Sequence, residues 1–302
     1  SLGALLTRPF NSPEAVAAGI KAPYTGFQGT VAQALRPFPQ YSTISDLLQS
    51  TGMSRYDSLQ MKITKRSGPV QLTLAYTLGK AMGNVTGRAS SDQNNGAVDT
   101  GNRGLEKAIQ PQDATHVVAS AWVLELPFGR GKRFGTNAKG VLNHIVGGWQ
   151  LSGVHRYETG FVLSVSGGNS LPIFNSSTRP NRVPNVPIQI SGCEAVNLGY
   201  SVHANINAFA ANAPFTLGTA SRTLPDYRGC GYFKEDLSLI KRFRIREGTT
   251  LQFRTESYNT LNRTKFADPA LNINTPGTFG KITAIDRFWQ PRTIQFALKL
   301  EW

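Results

Sequence analysis

From Thr293 to Trp302 the chain alternates without a break: Ile294, Phe296, Leu298, Leu300 and Trp302 on one parity, Thr293, Gln295, Ala297, Lys299 and Glu301 on the other. Period two marks an extended strand with two unlike faces, because successive side chains leave the pleat on opposite sides. The apolar side holds no polar residue up to the last position, where a soluble edge strand would carry a gatekeeping charge or a proline. A one-residue slip would turn Lys299 and Glu301 to that side, so the pattern also fixes which face is which.

The same unit recurs upstream. Leu59, Met61 and Ile63 share a face in a strand near 56–66, and a turn at 66–69 leads to Val70, Leu72, Leu74, Tyr76 and Leu78 in 70–79. Val118, Trp122, Leu124, Leu126 and Phe128 share a parity in 116–128, which should pair with 148–165. Leu237, Leu239, Phe243 and Ile245 do so in 233–245, which a tight turn joins to Leu251 and Phe253 in 249–259. This makes about seven strands, each near the roughly 9–11 residues a tilted strand needs to cross a bilayer. Connections at 66–69, 129–147 and 245–249 are short or moderate, whereas those near 80–114, 166–231 and 259–291 are long. Long irregular loops are foreign to a compact soluble domain; short turns at one rim and long loops at the other are the asymmetry of an outer-membrane barrel.

The expected fold is therefore all-β: an antiparallel up-and-down transmembrane β-barrel, here partial, over 54–302. Residues 1–53 read as an irregular extracellular segment with one short helix around 13–19. Lys241 resists the pattern, since it shares the parity of Leu239 and Phe243. Either it snorkels to headgroups or a bulge re-aims it.

Composition excludes other classes. No window of eighteen uncharged apolar residues exists, so a spanning helix is not expected, and slightly negative mean hydropathy fits a barrel as well as a soluble chain. The net charge of +14 comes from scattered Lys and Arg without long basic runs, which reads as a solvated surface and not a nucleic-acid site. Two cysteines without CxxC spacing, and histidines scattered at 116, 144, 155 and 203, give no metal-ligand pattern. No enzyme motif is found, and no cofactor is expected. The stretch from Gly129 to Gly135, GRGKRFG, superficially resembles a phosphate cradle but opens no helix, so it reads as a flexible turn.

The candidates for contact with a solute lie on the polar parity, facing the lumen: Gln71, Thr73, Thr77, Gln150, Ser152, Gln252, Arg254, Glu256, Gln295 and Lys299. Hydrating the wall is the plainer role for them, and Arg254 and Glu256 are placed to pair. Loop aromatics Phe174, Tyr200, Phe209, Phe215, Tyr227, Phe288 and Trp289 can stack on a ligand or pack loop against loop.

Taken in order, ALRPFPQY at 34–41, DSLQMKITKR at 57–66, LAYTLGKA at 74–81, LELPFGRGKRF at 124–134, GGWQLSGV at 147–154, RPNRVPN at 179–185, INAFAANAPFTLG at 206–218, DLSLIKRFRI at 236–245, LQFRTESYNTLNRTKF at 251–266 and RTIQFALKLEW at 292–302 resemble the carboxyl-terminal barrel of TonB-dependent outer-membrane receptors, nearest the Oar-like receptors of acidobacteria. The resemblance implies a location in the outer membrane, contact with its lipid, and import of a scarce nutrient such as an oligosaccharide, another large solute or an iron chelate. It implies energy from TonB through a plug domain, which this chain lacks, so the chain reads as the last third of such a barrel. Phe296, Leu298, Leu300 and Trp302 resemble the signal read by the barrel-assembly machinery. Cys193 and Cys230, between the same two strands in an oxidising compartment, are expected to form a disulfide. A reading of another class stays open: a secreted all-β module binding glycans or polyanions.

Overall fold

The computed structural model describes all residues except 1, 42–43, 45–49, 86–96, 100 and 170–178; Phe174 therefore lies outside the described residues. Seven long strands form one antiparallel sheet: β1 (Ser54–Lys65), β2 (Val70–Gly83), β3 (His116–Glu125), β4 (Trp149–Glu158), β5 (Tyr232–Arg246), β6 (Thr249–Tyr258) and β7 (Thr293–Glu301). Each pairs with its neighbour in sequence, and the two-residue strand Ala108–Ile109 adds to β2. The sheet is open, with β1 and β7 as its edges.

Both tight hairpin turns depend on a glycine in the left-handed region, Gly68 at φ 76° and Gly248 at φ 76°, where a side chain would be strained. The up-and-down order puts these turns and the 126–148 connection at one rim and all long connections at the other.

Cross-strand register carries the apolar parity through the whole sheet. Val70 sits opposite Leu124, Leu124 opposite Leu151, Leu151 opposite Leu239, Leu239 opposite Thr255 and Thr255 opposite Phe296. No second sheet is stacked on this face among the described residues. Towards the edges its side chains are largely exposed, Ile63 at 60% and Phe296 at 69%.

The buried apolar core lies elsewhere, in the long connections. Leu163, Val165, Ile188, Phe209, Leu224, Tyr227, Leu271 and Phe279 pack together there. A soluble sandwich would do the reverse, burying its strand faces and wetting its loops.

Three expectations need correction. The strand expected over 148–165 ends at Glu158, although Phe161, Leu163 and Val165 continue its alternation. A Cβ at Gly160 would run into the carbonyl of Gly229, and beyond it Leu163 and Val165 turn into the loop core, whose burial replaces sheet pairing. The strand expected over 116–128 ends at Glu125, and the connection beyond it contains the helix α3 (Gly140–Val146), where Asn143 Oδ1 accepts from the Arg130 N–H at 2.7 Å. In 1–53 the helix α1 (Leu2–Leu6) precedes the expected one, α2 (Pro13–Ala17), and a single turn of helix follows at Val31–Ala34. Lys241 stays in register between Trp149 and Phe253, and the irregularity in β5 falls further on, between Arg244 and Arg246.

Candidate functional site

The register puts all ten polar-parity candidates on one face. One row runs Gln71, Val123, Ser152, Ser238, Glu256, Gln295; the next contains Gln150, Ile240 and Arg254; the next Arg242, Gln252 and Lys299. Thr73 and Thr77 occupy rows closer to the long loops, opposite Ala121 and Val117.

Two grooves open along this face. One of about 320 Å³ is lined by Ser152, Asp236, Ser238, Arg254, Glu256 and Tyr258. The other, about 480 Å³, includes Gln71, Thr73, Val123 and Ser152.

Glu256 is the best-held of these groups. It accepts hydrogen bonds from Arg254 at 3.2 Å, from the Tyr258 hydroxyl at 3.1 Å and from the Gln295 amide. The last four strands each carry a cation two residues before an acid on this face, Arg156–Glu158, Lys234–Asp236, Arg254–Glu256 and Lys299–Glu301, with separations of 2.7–3.2 Å. Two residues apart on a strand means the same face, so each pair is written into the sequence by spacing alone. Each of these four pairs is neutral as a unit, and Arg242 adds a further cation to the same face.

The family model described as an outer membrane beta barrel domain matches residues 3–295. The chain belongs to this family. Comparison with curated proteins returns no match. Membership explains why the apolar parity of this outer-membrane barrel domain is left uncovered by protein: lipid is its solvent.

At the loop rim of the barrel domain, buried ion pairs fasten the loops to the sheet. Glu106 accepts from Arg179 at 2.5 Å and from the Val98 N–H at 2.9 Å, while Arg222 donates to the carbonyls of Glu106 and Gly83 at 2.9 and 2.8 Å. Burial holds both guanidiniums below the ordinary arginine value, against the pull of Glu106. Asp113 accepts from Arg228 at 2.8 Å and from the Ala81 N–H at 2.6 Å.

Sequence reading missed these clamps, because partners more than seventy residues apart in irregular segments share no periodicity. Arg179 and Arg182 stand in the RPNRVPN segment, which was visible only as part of a resemblance. Arg182 lies over the Phe209 ring at 5.7 Å and donates to the carbonyls of Val186 and Ala208.

Of the loop aromatics, Phe209 and Tyr227 are core residues, so packing is their role. Burial first, then the charge of Asp268, pushes the Tyr227 hydroxyl up to about 12. Tyr200 and Phe288 are exposed, and Phe215 is half-buried. Trp289 donates its indole N–H to the Arg263 carbonyl at 2.7 Å and meets Tyr232 edge-on at 5.3 Å. It lines a cavity of about 410 Å³ with Glu194, Phe233, Lys265 and the two cysteines. Three histidines have side-chain partners: His116 Nδ1 lies 2.8 Å from the Tyr76 hydroxyl, His155 accepts from the Trp122 indole at 2.8 Å, and His203 lies between the Ser191 and Ser201 hydroxyls at 2.9 and 3.0 Å.

Cys193 and Cys230 are joined as a disulfide, with 5.7 Å between Cα atoms and a sequence separation of 37. Closing that loop stabilises the folded chain by roughly 4 kcal/mol in the chain-entropy model. Thiol titration of the unreduced, denatured protein should return no free thiol, and two after reduction. Cys193→Ser with Cys230→Ser should leave the strands in place and speed proteolysis within 160–230.

Proposed function

We propose that the chain is the carboxyl-terminal strand set of a TonB-dependent receptor barrel that takes up a large scarce solute, with its long loops outside the cell and its tight turns in the periplasm. One observation carries the reading: a single apolar parity runs through seven consecutive strands while every long connection falls at one rim. Oligosaccharide stands ahead of an iron chelate as the solute, since the wall grooves offer amide, hydroxyl and paired-charge contacts suited to a neutral polar chain. In this reading Phe296, Leu298, Leu300 and Trp302 are read by the barrel-assembly machinery. TonB acts through a plug domain that the closed barrel would enclose. The secreted-module reading would need a protein layer over the apolar parity, and no described strand or helix supplies one.

Orientation is tested by labelling. The native disulfide leaves no thiol to compete, so single cysteines can be added directly. Those at Asn197 and Asn272, both exposed, should react with an impermeant thiol reagent on intact cells. Those at Asn137 and Glu247, also exposed, should react only after the outer membrane is opened. Labelling of Glu247 together with protection of Asn197 would invert the barrel. Transport is tested by uptake of labelled oligosaccharides and ferric chelates with and without the protein, and with the proton gradient collapsed. Uptake that survives the collapse would mark a passive pore instead of an energised receptor.

A further inference from the structure

The connection between β3 and β4 is of moderate length, the longest of those at the turn rim, and it contains the helix α3 (Gly140–Val146), all of whose residues avoid burial. Val141, Leu142 and Ile145 are exposed at 75%, 58% and 61%, and the spacing i, i+1, i+4 gathers them on one side of the helix. A seven-residue helix with three large apolar residues in water gains nothing from forming, so its exposed side needs a partner.

Its position says which partner. The Ile145 carbonyl accepts from Lys241 Nζ at 3.2 Å, and the Gly147 carbonyl accepts from the same ammonium. Lys241 belongs to the apolar parity, opposite Trp149 and Phe253, and lies 5.0 Å from the Trp149 ring and 5.1 Å from that of Phe243. Trp149 in turn donates its indole N–H to the Ile145 carbonyl at 2.9 Å. The carboxyl end of α3 is thus docked on the lipid-facing side of the sheet, where its carbonyls solvate the Lys241 ammonium.

Charge agrees with that placement. Residues 126–148 contain Arg130, Lys132, Arg133 and Lys139 and no Asp or Glu. Of these, Lys132 has an acidic partner, the exposed Glu125 at 2.9 Å. Apolar side chains on a short helix, flanked by cations and continuous with a lipid-facing wall, form the composition of an interfacial segment, its apolar side about 5–10 Å into the headgroup boundary.

We infer that α3 and its flanking cations form an interfacial foot, with Val141, Leu142 and Ile145 in the phospholipid leaflet at the turn rim and Arg130, Arg133 and Lys139 on its anionic headgroups. The inference rests on the membrane placement of the sheet; the orientation proposed above serves only to name the leaflet as periplasmic.

The test reconstitutes the full chain in phosphatidylethanolamine–phosphatidylglycerol bilayers, with an environment-sensitive fluorophore on single cysteines at Leu142, Asn137 or Leu298. The Leu142 label should be blue-shifted, quenched by a spin label near the headgroups, and several-fold less open to iodide than the Asn137 label. Replacing phosphatidylglycerol by phosphatidylcholine, or combining Arg130→Glu, Arg133→Glu and Lys139→Glu, should move the Leu142 label towards water. A Leu142 label as open to iodide as Asn137, while Leu298 is quenched by lipid, overturns the inference and spares the barrel. A Leu142 label shielded from iodide but untouched by lipid spin labels also overturns it, in favour of a protein partner or second copy. A Leu298 label that no lipid quencher reaches removes the membrane placement of the sheet, and the foot with it.

Discussion

Glu106→Gln should loosen the loop-rim assembly by about 3–5 kcal/mol, the cost of leaving buried charge uncompensated. The side chains of Glu106 and Arg179 are 7% and 12% exposed, and Arg222, also buried, lies on the same backbone segment. Glutamine keeps the shape and can still accept from Val98, so the loss isolates the charge. Two guanidiniums would then lie buried without an anion. The measurement is the rate of protease cleavage within 160–230 on intact outer membranes, which should rise by more than a hundredfold at about 3 kcal/mol if cleavage follows the open population. Glu125→Gln breaks a pair whose side chains are 46% and 52% exposed, and should change stability by no more than about 1 kcal/mol. Similar sensitivity in both variants would mean that the clamp is as wet as the surface pair.

That contrast also marks where sequence reading stops. The seven strands were legible because a half-buried or lipid-facing strand must repeat every two residues, whatever its partner. The short turns were legible where the alternation breaks off at 66–69 and 245–249. The Arg254–Glu256 pair was legible from i, i+2 spacing, and the disulfide from two cysteines in one loop. The clamps were not, since nothing at Glu106 announces Arg179 or Arg222. Nor was α3, whose N-cap Lys139 provides no side-chain hydrogen bond and whose first turn holds no acid. Alternation also misled at 159–165: apolar residues at every second position suit a loop core as well as a strand, and only the close approach at Gly160 distinguishes them. Lys241 was legible as an exception, but its solution lay about ninety residues upstream in backbone carbonyls.

Phe296→Arg and Leu239→Arg should each cost about 2–4 kcal/mol in a bilayer, the penalty for a cation at mid-depth on a barrel's lipid face. Both residues lie near the middle of their strands and in one cross-strand row with Val70, Leu124 and Leu151. Phe296 also stacks on Phe253 at 6.2 Å, a contact the arginine would lose. Leu239 stands outside the terminal strand, so its loss cannot be assigned to a damaged assembly signal. Gln295→Lys moves a cation by one residue, to the other face beside Glu256, and should stay within about 0.5 kcal/mol because that face already holds paired charge in water. The measurement is folding equilibrium in bilayers, together with the level of heat-modifiable protein in outer membranes. A protein with water on both faces would tolerate arginine at Phe296, which is already 69% exposed, as easily as lysine at Gln295. Equal tolerance would therefore remove lipid from the apolar parity, whereas a large cost at Phe296 and Leu239 beside none at Gln295 assigns the two solvents to the two faces one residue apart.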